Sequence, residues 1–254
     1  MIDIHCHILP GLDDGSKHME ESVQMARFAE KQGLTKLIAT PHHRTHRFDN
    51  EKQGVLEAVE HLNQRLADEN IAVTVYPGQE IRLHNEMVHI FNQDELLSLN
   101  HSRYILIEFP VDTLPSYTEH LLYNLQTQGY IPVIAHPERY DFFVEDLNLL
   151  LDFVKQGALT QLTAGSLTGA FGKKTKKIAE TIIKHRLAHV LASDAHHLKT
   201  RTFDLVEGYK ALEKLTNHTT VTQFKQRSEA MLLNDEVILQ SPVKVKHKRF
   251  FGLF

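Results

Sequence analysis

Two histidines close to the N-terminus, His5 and His7, are separated by a single residue. In a β-strand, alternate side chains point to the same face, so both imidazoles lie on one side of the segment MIDIHCH. Two ring nitrogens placed together at a strand end are a natural clamp for a metal ion. Buried histidines that hydrogen-bond backbone groups are also common, so this motif alone leaves both interpretations open.

Five other apolar segments end in residue types that bind metal ions or phosphate. A carboxylate such as Glu108, embedded in YILIEFP, is costly to bury unless it is paired or binds a metal ion. One such carboxylate could pair with a basic side chain, but so many similar endings are hard to explain as separate accidents. The endings are Thr40-Pro41-His42-His43, Gly78-Gln79-Glu80, Glu108-Phe109-Pro110, His136-Pro137-Glu138-Arg139 and Ser193-Asp194-Ala195-His196-His197.

The mixture of imidazoles and carboxylates suits Mn²⁺, Fe²⁺ or Zn²⁺ and differs from the all-oxygen cage of Ca²⁺. So many candidates imply two or three ions, which together can activate water and clamp the attacking and leaving oxygens of a displacement at phosphorus. Arg139 could grip two phosphoryl oxygens, and Arg201 could reach the same place. The alternatives are a salt bridge from Arg139 to Glu138 or to another neighbour, and a solvated position for Arg201 at the start of a helix. The set of residues favours hydrolysis of phosphate esters.

The one cysteine of the chain, Cys6, cannot be the nucleophile of a cysteine-based tyrosine phosphatase. Such an enzyme holds its thiolate in a C-x5-R loop, and the residue six positions after Cys6 is Leu12. In a strand, Cys6 also points away from the two neighbouring histidines. We therefore expect Cys6 to pack in the core.

The elements that must position these residues are short β-segments separated by stretches with helical spacing. Three helical stretches end at plausible C-terminal glycines, Gly33, Gly129 and Gly157. Seven βα units with polar residues at the same strand end predict a closed (β/α)7 barrel with its site at the C-terminal ends of the strands. An open doubly wound sheet is the alternative. The segments are MIDIHCH, KLIATPHH, VTVYPGQEI, YILIEFP, IPVIAHPER, LTQLTAG and AHVLASDAHH.

Composition limits the class of protein. The chain has 254 residues and is 42% hydrophobic, which suits one domain over residues 1–241. A net charge of −4 gives no overall drive toward nucleic acid. The sequence shows no secretion signal and no apolar run near the roughly 20 residues of a membrane span, which predicts a cytoplasmic protein. Residues 242–254 form a basic and then aromatic tail, which is either a flexible end or a docking peptide for a partner or an acidic membrane surface.

The order of these residues resembles the PHP (polymerase and histidinol phosphatase) superfamily. Its pattern is an H-x-H, a later histidine, a glutamate, another histidine and a closing D-x-H. Here the pattern reads His5, His7, His42, Glu80, His136, Asp194 and His196. Within the superfamily, DIHCHILPGLDDG, ATPHH, PGQEI, LIEFP, IAHPER and SDAH are similar to the bacterial PHP-type tyrosine-protein phosphatases of capsule and exopolysaccharide production. The resemblance extends from the first residue to about Arg201.

This resemblance implies a distorted seven-stranded β/α barrel and a site for three ions, usually described with manganese. It implies attack by a metal-bridging hydroxide on phosphotyrosine, with a bacterial tyrosine kinase and its substrates as the proteins acted on. The implied positions are one ion near His5, His7, Glu80 and Asp194, a second near Glu80, Glu108 and His136, a third near Asp14, His42 and His196, and phosphate at Arg139 and Arg201.

Two other functions remain open at the level of sequence. One is a phosphomonoesterase for histidinol phosphate or another small molecule, because the superfamily contains such enzymes. The other is a kinase-docking regulatory protein in which the metal site is structural and the tail binds the partner. The sequence assigns no role to His43, Arg44 or His197, and the turn residues Asp13 and Asp14 could also be mere turn formers.

Overall fold

The computed structural model describes residues 1–245 of the chain. Within these residues the chain forms nine strands, and every pairing between them is parallel. Continuous apolar composition suits strands that are covered on both faces. The strands are β1 (Ile2–Cys6), β2 (Lys36–Ala39), β3 (His42–His43), β4 (Thr74–Pro77), β5 (Glu80–Arg82), β6 (Tyr104–Glu108), β7 (Ile131–Ala135), β8 (Leu159–Thr163) and β9 (Val190–Ala192).

Helices connect these strands and cover the outside of the sheets. In the first helix, Val23, Ala26 and Ala29, which are spaced three residues apart, are buried. The helices are α1 (Met19–Lys31), α2 (Lys52–Asp68), α3 (Met87–Asn92), α4 (Thr118–Thr127), α5 (Asp141–Glu145), α6 (Leu147–Lys155), α7 (Ala164–Thr168), α8 (Gly172–Lys184), α9 (Leu205–Leu215) and α10 (His218–Leu233), with short 3₁₀ helices at Leu99–His101 and Pro137–Arg139.

The strands close into a distorted barrel. One sheet has the order β1-β2-β4 and the other the order β3-β5-β6-β7-β8-β9. The seven predicted segments are present, but two of them are divided, at Thr40-Pro41 and at Gly78-Gln79, and each contributes a strand to both sheets. At the other seam, the Asp194 N–H donates to the His5 carbonyl at 2.9 Å. The prediction of a closed barrel is therefore confirmed, and the open doubly wound alternative is wrong.

The side chains of β6 show how the barrel presents its site. Ile105 and Ile107 belong to the cluster that packs against the helices, whereas Tyr104 and Leu106 belong to a second cluster with residues of β7, β8 and β9. Alternate residues of a strand share one face. Glu108, the last residue of β6, therefore lies on the same side as Tyr104 and Leu106, at the end of the strand where the chemistry was predicted.

Only part of the predicted tail falls within residues 1–245. The Val243 N–H donates to the His185 carbonyl at 2.8 Å, and the Val245 N–H donates to Asn148 Oδ1 at 3.2 Å. The tail thus leaves the barrel beside α6 and α8. Residues 246–254 lie outside the described residues, and the prediction of a docking peptide falls mainly on them. Among the helices of residues 1–245, none is long and apolar enough to cross a membrane.

A buried histidine before β9 makes folding depend on pH. His189 is 2% exposed, and its Nδ1 accepts a hydrogen bond from the Thr160 N–H at 3.0 Å. Burial, followed by the charge on Arg227, lowers the pKa of His189 from 6.5 to about 3. As the pH falls below about 6.5, the unfolded chain binds a proton here that the folded chain does not bind, so acid favours unfolding.

We predict that His189→Gln removes this contribution. Between about pH 6.5 and pH 4, the free energy of unfolding of the wild type should fall more steeply than that of the variant, by up to about 1.4 kcal/mol per pH unit. Urea unfolding at a series of pH values measures the two slopes. His61→Gln, at an exposed position of α2, is the matched control and should keep the wild-type slope. Equal slopes for wild type and His189→Gln would contradict the prediction.

Candidate metal centre

The nine predicted ligand residues lie together at the C-terminal end of the barrel. Two of them, His136 and Asp194, have positive φ angles of 34° and 55°. For residues other than glycine this backbone conformation costs about 1–3 kcal/mol, and it is found where a site requires a side chain to be aimed. The nine residues are His5, His7, Asp14, His42, Glu80, Glu108, His136, Asp194 and His196.

Four of these residues form a compact group that we call the four-ligand cluster: His5, His7, Glu80 and Asp194. The Nε2 atom of His5 lies 3.2 Å from His7 Nε2, 3.4 Å from Glu80 Oε2 and 3.5 Å from Asp194 Oδ1. His7 Nε2 lies 3.5 Å from Glu80 Oε2 and 3.4 Å from Asp194 Oδ1. Atoms about 2.0–2.2 Å from one ion at tetrahedral angles are about 3.3–3.6 Å apart. The separations between the two imidazoles, and from each imidazole to each carboxylate, therefore fit ligands of one cation.

The other ring nitrogens of the two histidines already have partners. His5 Nδ1 lies 2.9 Å from Gln161 Oε1, and His7 Nδ1 lies 2.6 Å from Asp13 Oδ2. Both partners accept hydrogen bonds, so each imidazole holds its proton on Nδ1 and directs the Nε2 lone pair into the cluster. The two Nε2 atoms therefore face the carboxylates of Glu80 and Asp194, where a proton or a metal ion on an Nε2 atom is stabilised by the negative charges.

The raised pKa of His7 shows that its surroundings favour a positive charge on or beside this imidazole. Burial disfavours charge on the imidazole, but Asp13, Asp194 and Glu80 outweigh it and raise the pKa of His7 to about 10. Burial also opposes ionisation of Asp194, yet Arg139 and His5 hold its pKa well below the usual range. Both carboxylates of the cluster are therefore ionised at neutral pH, because the pKa of Glu80 is lowered as well.

We predict that Asp13→Asn weakens metal binding about 10–100-fold, because its neutral amide no longer fixes the protonated Nδ1 of His7. Metal retained after dialysis against buffers of defined free Mn²⁺ measures the effect. The matched control is Asp68→Asn on the exposed surface of α2, which should bind metal as the wild type does. Unchanged affinity in Asp13→Asn would show that the Asp13 hydrogen bond has no influence on the ligand.

A second group, the outer cluster, consists of Asp14, His42 and His196. Asp14 Oδ1 lies 3.5 Å from His42 Nε2 and 3.4 Å from His196 Nε2. His196 Nδ1 is 2.9 Å from the Asp194 carbonyl, so it donates there and leaves Nε2 as a lone pair; this buried Nε2 has no hydrogen-bond partner in residues 1–245. These are the three residues expected to hold the third ion, and the structure brings them together.

Around the expected position of the second ion, His42 lies beside both Glu80 and Glu108, whereas His136 contacts Glu80. Glu80 and Glu108 share the Nδ1 atom of His42, at 2.9 Å and 3.6 Å, whereas His136 Nε2 contacts Glu80 Oε1 at 2.7 Å. The reason is strand pairing: β3 lies next to β5, so His42 stands opposite Glu80. His42 thus faces the outer cluster with one ring nitrogen and the two glutamates with the other.

The two predicted phosphate-binding arginines both contact Asp194. Arg139 Nη2 donates to Asp194 Oδ2 at 2.6 Å, and Arg201 Nη2 donates to both carboxylate oxygens at 2.9 Å. Glu138 instead accepts from the Thr163 N–H and the Ser166 hydroxyl. The salt bridge considered for Arg139 is therefore present, but with Asp194 and not with Glu138, and a purely solvated Arg201 is wrong. Both guanidinium groups remain about a quarter to a third exposed at the edge of the site.

For three further residues the sequence predicted no role in the site. Gln161 and Asp13 orient the histidines of the four-ligand cluster, and Arg82 Nη2 contacts Glu108 Oε2 at 2.9 Å. Gln161 carried a signal, since it is an amide in the middle of a short strand, LTQLT, that is buried along its whole length. Arg82 follows Glu80 by two residues in β5 and so points to the same face, which also could have been used.

The residues without an assigned role lie at the margin. His43 Nδ1 and Arg44 Nε approach Asp49 Oδ1 at 3.2 Å and 3.9 Å, and His197 Nδ1 approaches Glu21 Oε1 at 3.8 Å. Cys6 is fully buried, and burial raises the pKa of its thiol well above the usual value. Its Sγ donates weakly to the Ile38 carbonyl, in agreement with a packing role.

Comparisons with known proteins agree with this site. A family model described as capsular polysaccharide synthesis, CpsB/CapC, matches residues 1–234. The chain is 46% identical over 254 residues to the tyrosine-protein phosphatase YwqE of Bacillus subtilis (strain 168), and the match covers 100% of both. A crystal structure from work on YwqE and the Streptococcus pneumoniae protein CpsB, described as unique metal-dependent tyrosine phosphatases, has a TM-score of 0.95 at 46% identity and covers 97% of this chain and 100% of its own.

A more distant likeness concerns the fold alone. The histidinol phosphate phosphatase of Lactococcus lactis, solved with zinc, histidinol and phosphate, has a TM-score of 0.55 at 13% identity. The match covers 85% of this chain and 94% of that one. Since unrelated activities share such folds, this likeness carries no information on substrate.

Proposed function

The chain belongs to the CpsB/CapC family of capsular polysaccharide synthesis, and from this premise we propose that it is a metal-dependent protein-tyrosine phosphatase. The observation that carries the proposal is the four-ligand cluster, in which the Nε2 atoms of His5 and His7 lie 3.2 Å apart and each lies within 3.5 Å of a Glu80 oxygen and an Asp194 oxygen. One buried atom at the site, His196 Nε2, has no hydrogen-bond partner in residues 1–245, which suits a metal ligand.

The proposed division of labour places the ions in the four-ligand cluster, in the outer cluster and beside Glu80 and Glu108. When bound, divalent ions supply Lewis acidity that activates water and neutralises charge on a phosphoryl group. The guanidinium groups of Arg139 and Arg201 hold the phosphoryl oxygens, and Asp194 keeps both groups aimed at the site. The phenolate of tyrosine, whose conjugate acid has a pKa of about 10, leaves without a strong general acid.

Several finer statements belong to the same proposal. Two or three Mn²⁺ ions are proposed, and Fe²⁺ or Zn²⁺ would suit the same nitrogen and oxygen ligands. The proposed substrates are phosphotyrosine proteins, namely a bacterial tyrosine kinase and the proteins it modifies in capsule or exopolysaccharide regulation. The phosphatase domain is proposed to span residues 1–241, followed by the tail 242–254. A cytoplasmic location stays a prediction from the sequence.

Substrate preference tests the proposal against its rivals. We expect the Mn²⁺-loaded protein to hydrolyse a phosphotyrosine peptide with kcat/KM at least about 100-fold above a phosphoserine peptide or histidinol phosphate, as judged by released phosphate. Alkoxide leaving groups are more basic than phenolate and need a proton from an acid. A preference for histidinol phosphate would indicate a small-molecule phosphatase. No hydrolysis of any of the three substrates would favour a kinase-docking regulator.

A further inference from the structure

A second concave surface lies at the end of the barrel opposite the metal centre. It has a volume of about 460 Å³ and is bounded by the end of α8, the residues before β9, the first turns of α10 and Gln240. His189, which lines it, directly precedes β9, while Asp194 follows the other end of that strand. The volume is within the range of small-molecule sites, about 300–1,000 Å³. We call this surface the basal cavity.

The basal cavity is positively charged, although the whole chain has a net charge of −4. Three cations, Lys184, Arg186 and Arg227, line it, and none of its described lining residues is an aspartate or glutamate. None of the three cations forms an ion pair within residues 1–245. Three cations without carboxylate partners around one concavity create a potential that attracts anions.

Arg227 is the cation that most needs a partner. Its side chain is buried, with the residue only 8% exposed. Nε donates to the Ile238 carbonyl at 3.2 Å and Nη1 to the His189 carbonyl at 3.3 Å, which leaves Nη2 without a hydrogen-bond partner among the described residues. Burial lowers the pKa of Arg227. The Phe224 ring, 5.5 Å from the guanidinium carbon, is its other neighbour, and a guanidinium with a free donor pairs best with phosphate or carboxylate.

The start of α10 adds to this potential. Asn217 caps the helix by accepting from the Thr220 N–H, and Thr219 and Thr220 of its first turn line the basal cavity. The first turn of a helix carries a partial positive charge that favours anions. The amides of Asn217 and Gln240 can donate hydrogen bonds to oxygens of a bound molecule.

We propose that the basal cavity binds a multiply charged phosphate group, at a site separate from the metal centre. The phosphate contacts Arg227 from the cavity side, and it also contacts Lys184 at the end of α8 and Arg186 just after that helix. A soluble organic phosphate and the headgroup of an anionic lipid offer the same chemistry. Because Arg227 donates to the carbonyl of His189, an anion bound here is connected to the start of β9.

A tryptophan reporter tests the proposal in the metal-loaded protein. The chain has no tryptophan, so Thr219→Trp places a single fluorophore at the cavity, far from the metal ions. Titration with fructose 1,6-bisphosphate should give a saturable fluorescence change. In the same background, Lys184→Gln/Arg186→Gln should weaken binding at least about tenfold. Lys184 and Arg186 are exposed, so folding should persist in this double variant. Arg227→Gln, at a buried position, should weaken binding as well.

The matched control is Lys173→Gln/Lys177→Gln, which removes the same charge from exposed positions elsewhere on α8 and should leave the affinity unchanged. A second arm uses vesicles of phosphatidylglycerol and phosphatidylcholine in a flotation assay. Binding to vesicles alone, lost in Lys184→Gln/Arg186→Gln, would assign the phosphate to a lipid headgroup. No saturable change with the bisphosphate and no such vesicle binding, or equal loss in the control variant, would overturn the proposal.

Discussion

Glu80→Gln is expected to lower kcat/KM for a phosphotyrosine peptide by at least about 10³-fold and to reduce the bound metal. Glu80 Oε2 lies 3.4 Å from His5 Nε2 and 2.9 Å from His42 Nδ1, so one carboxylate serves both the four-ligand cluster and the pair with Glu108. The amide keeps the shape of the side chain but removes its negative charge. Loss of charge at a ligand shared between ions affects both of them.

Glu138→Gln is the matched control for this prediction. Glu138 is also buried at the C-terminal end of the barrel, but it is not a predicted ligand, and it accepts from the Thr163 N–H and the Ser166 hydroxyl. Its metal content should equal that of the wild type. Elemental analysis of both variants, together with kcat/KM, separates ligation from mere burial of a carboxylate. Full metal content in Glu80→Gln would contradict its role as a ligand.

Arg139→Ala is expected to lower kcat/KM by about 10²–10³-fold with the metal content retained. An arginine aimed at a transferring phosphoryl group commonly stabilises the transition state by several powers of ten, and here Arg201 remains beside Asp194 to supply part of the charge. Arg139→Lys should recover only a small part of the activity, since an ammonium cannot form the paired hydrogen bonds of a guanidinium.

The measurement is steady-state kinetics combined with metal analysis, and Arg103→Ala is the matched control. Arg103 lies away from the site and donates to Asn234, so its removal should leave kcat/KM unchanged. The kcat/KM of Arg201→Ala should lie between those of Arg139→Ala and Arg103→Ala. A loss below about fivefold in Arg139→Ala would mean that this guanidinium does not hold the phosphoryl group. A loss of metal along with activity would mean that it acts through Asp194 alone.

The sequence allowed the barrel and the residues of the site to be predicted because both follow from local patterns. Parallel strands place their C-terminal ends on one rim, so residues as distant as His5 and Asp194 had to meet once a closed barrel was assumed. The H-x-H spacing alone put His5 and His7 on one face. These inferences needed strand direction and alternation, which the apolar segments and their polar endings supply.

The details that the sequence did not provide depend on which of several nearby groups each side chain contacts in the folded protein. His42 was expected with the third ion only, but strand pairing also places its Nδ1 beside Glu80 and Glu108. Gln161 and Asp13 act as hydrogen-bond partners of ligands, a role that no spacing reveals. The division of two segments into strands of different sheets likewise depends on how the barrel closes, which is a property of the whole ring.

Metal removal and return tests the central claim most directly. The protein is stripped with a chelator, refilled with Mn²⁺ in steps, and assayed on a phosphotyrosine peptide while the bound metal is counted. We predict no turnover in the stripped protein and a rise in kcat that follows occupancy up to two or three ions per chain. Undiminished hydrolysis after complete removal of the metal would contradict the account.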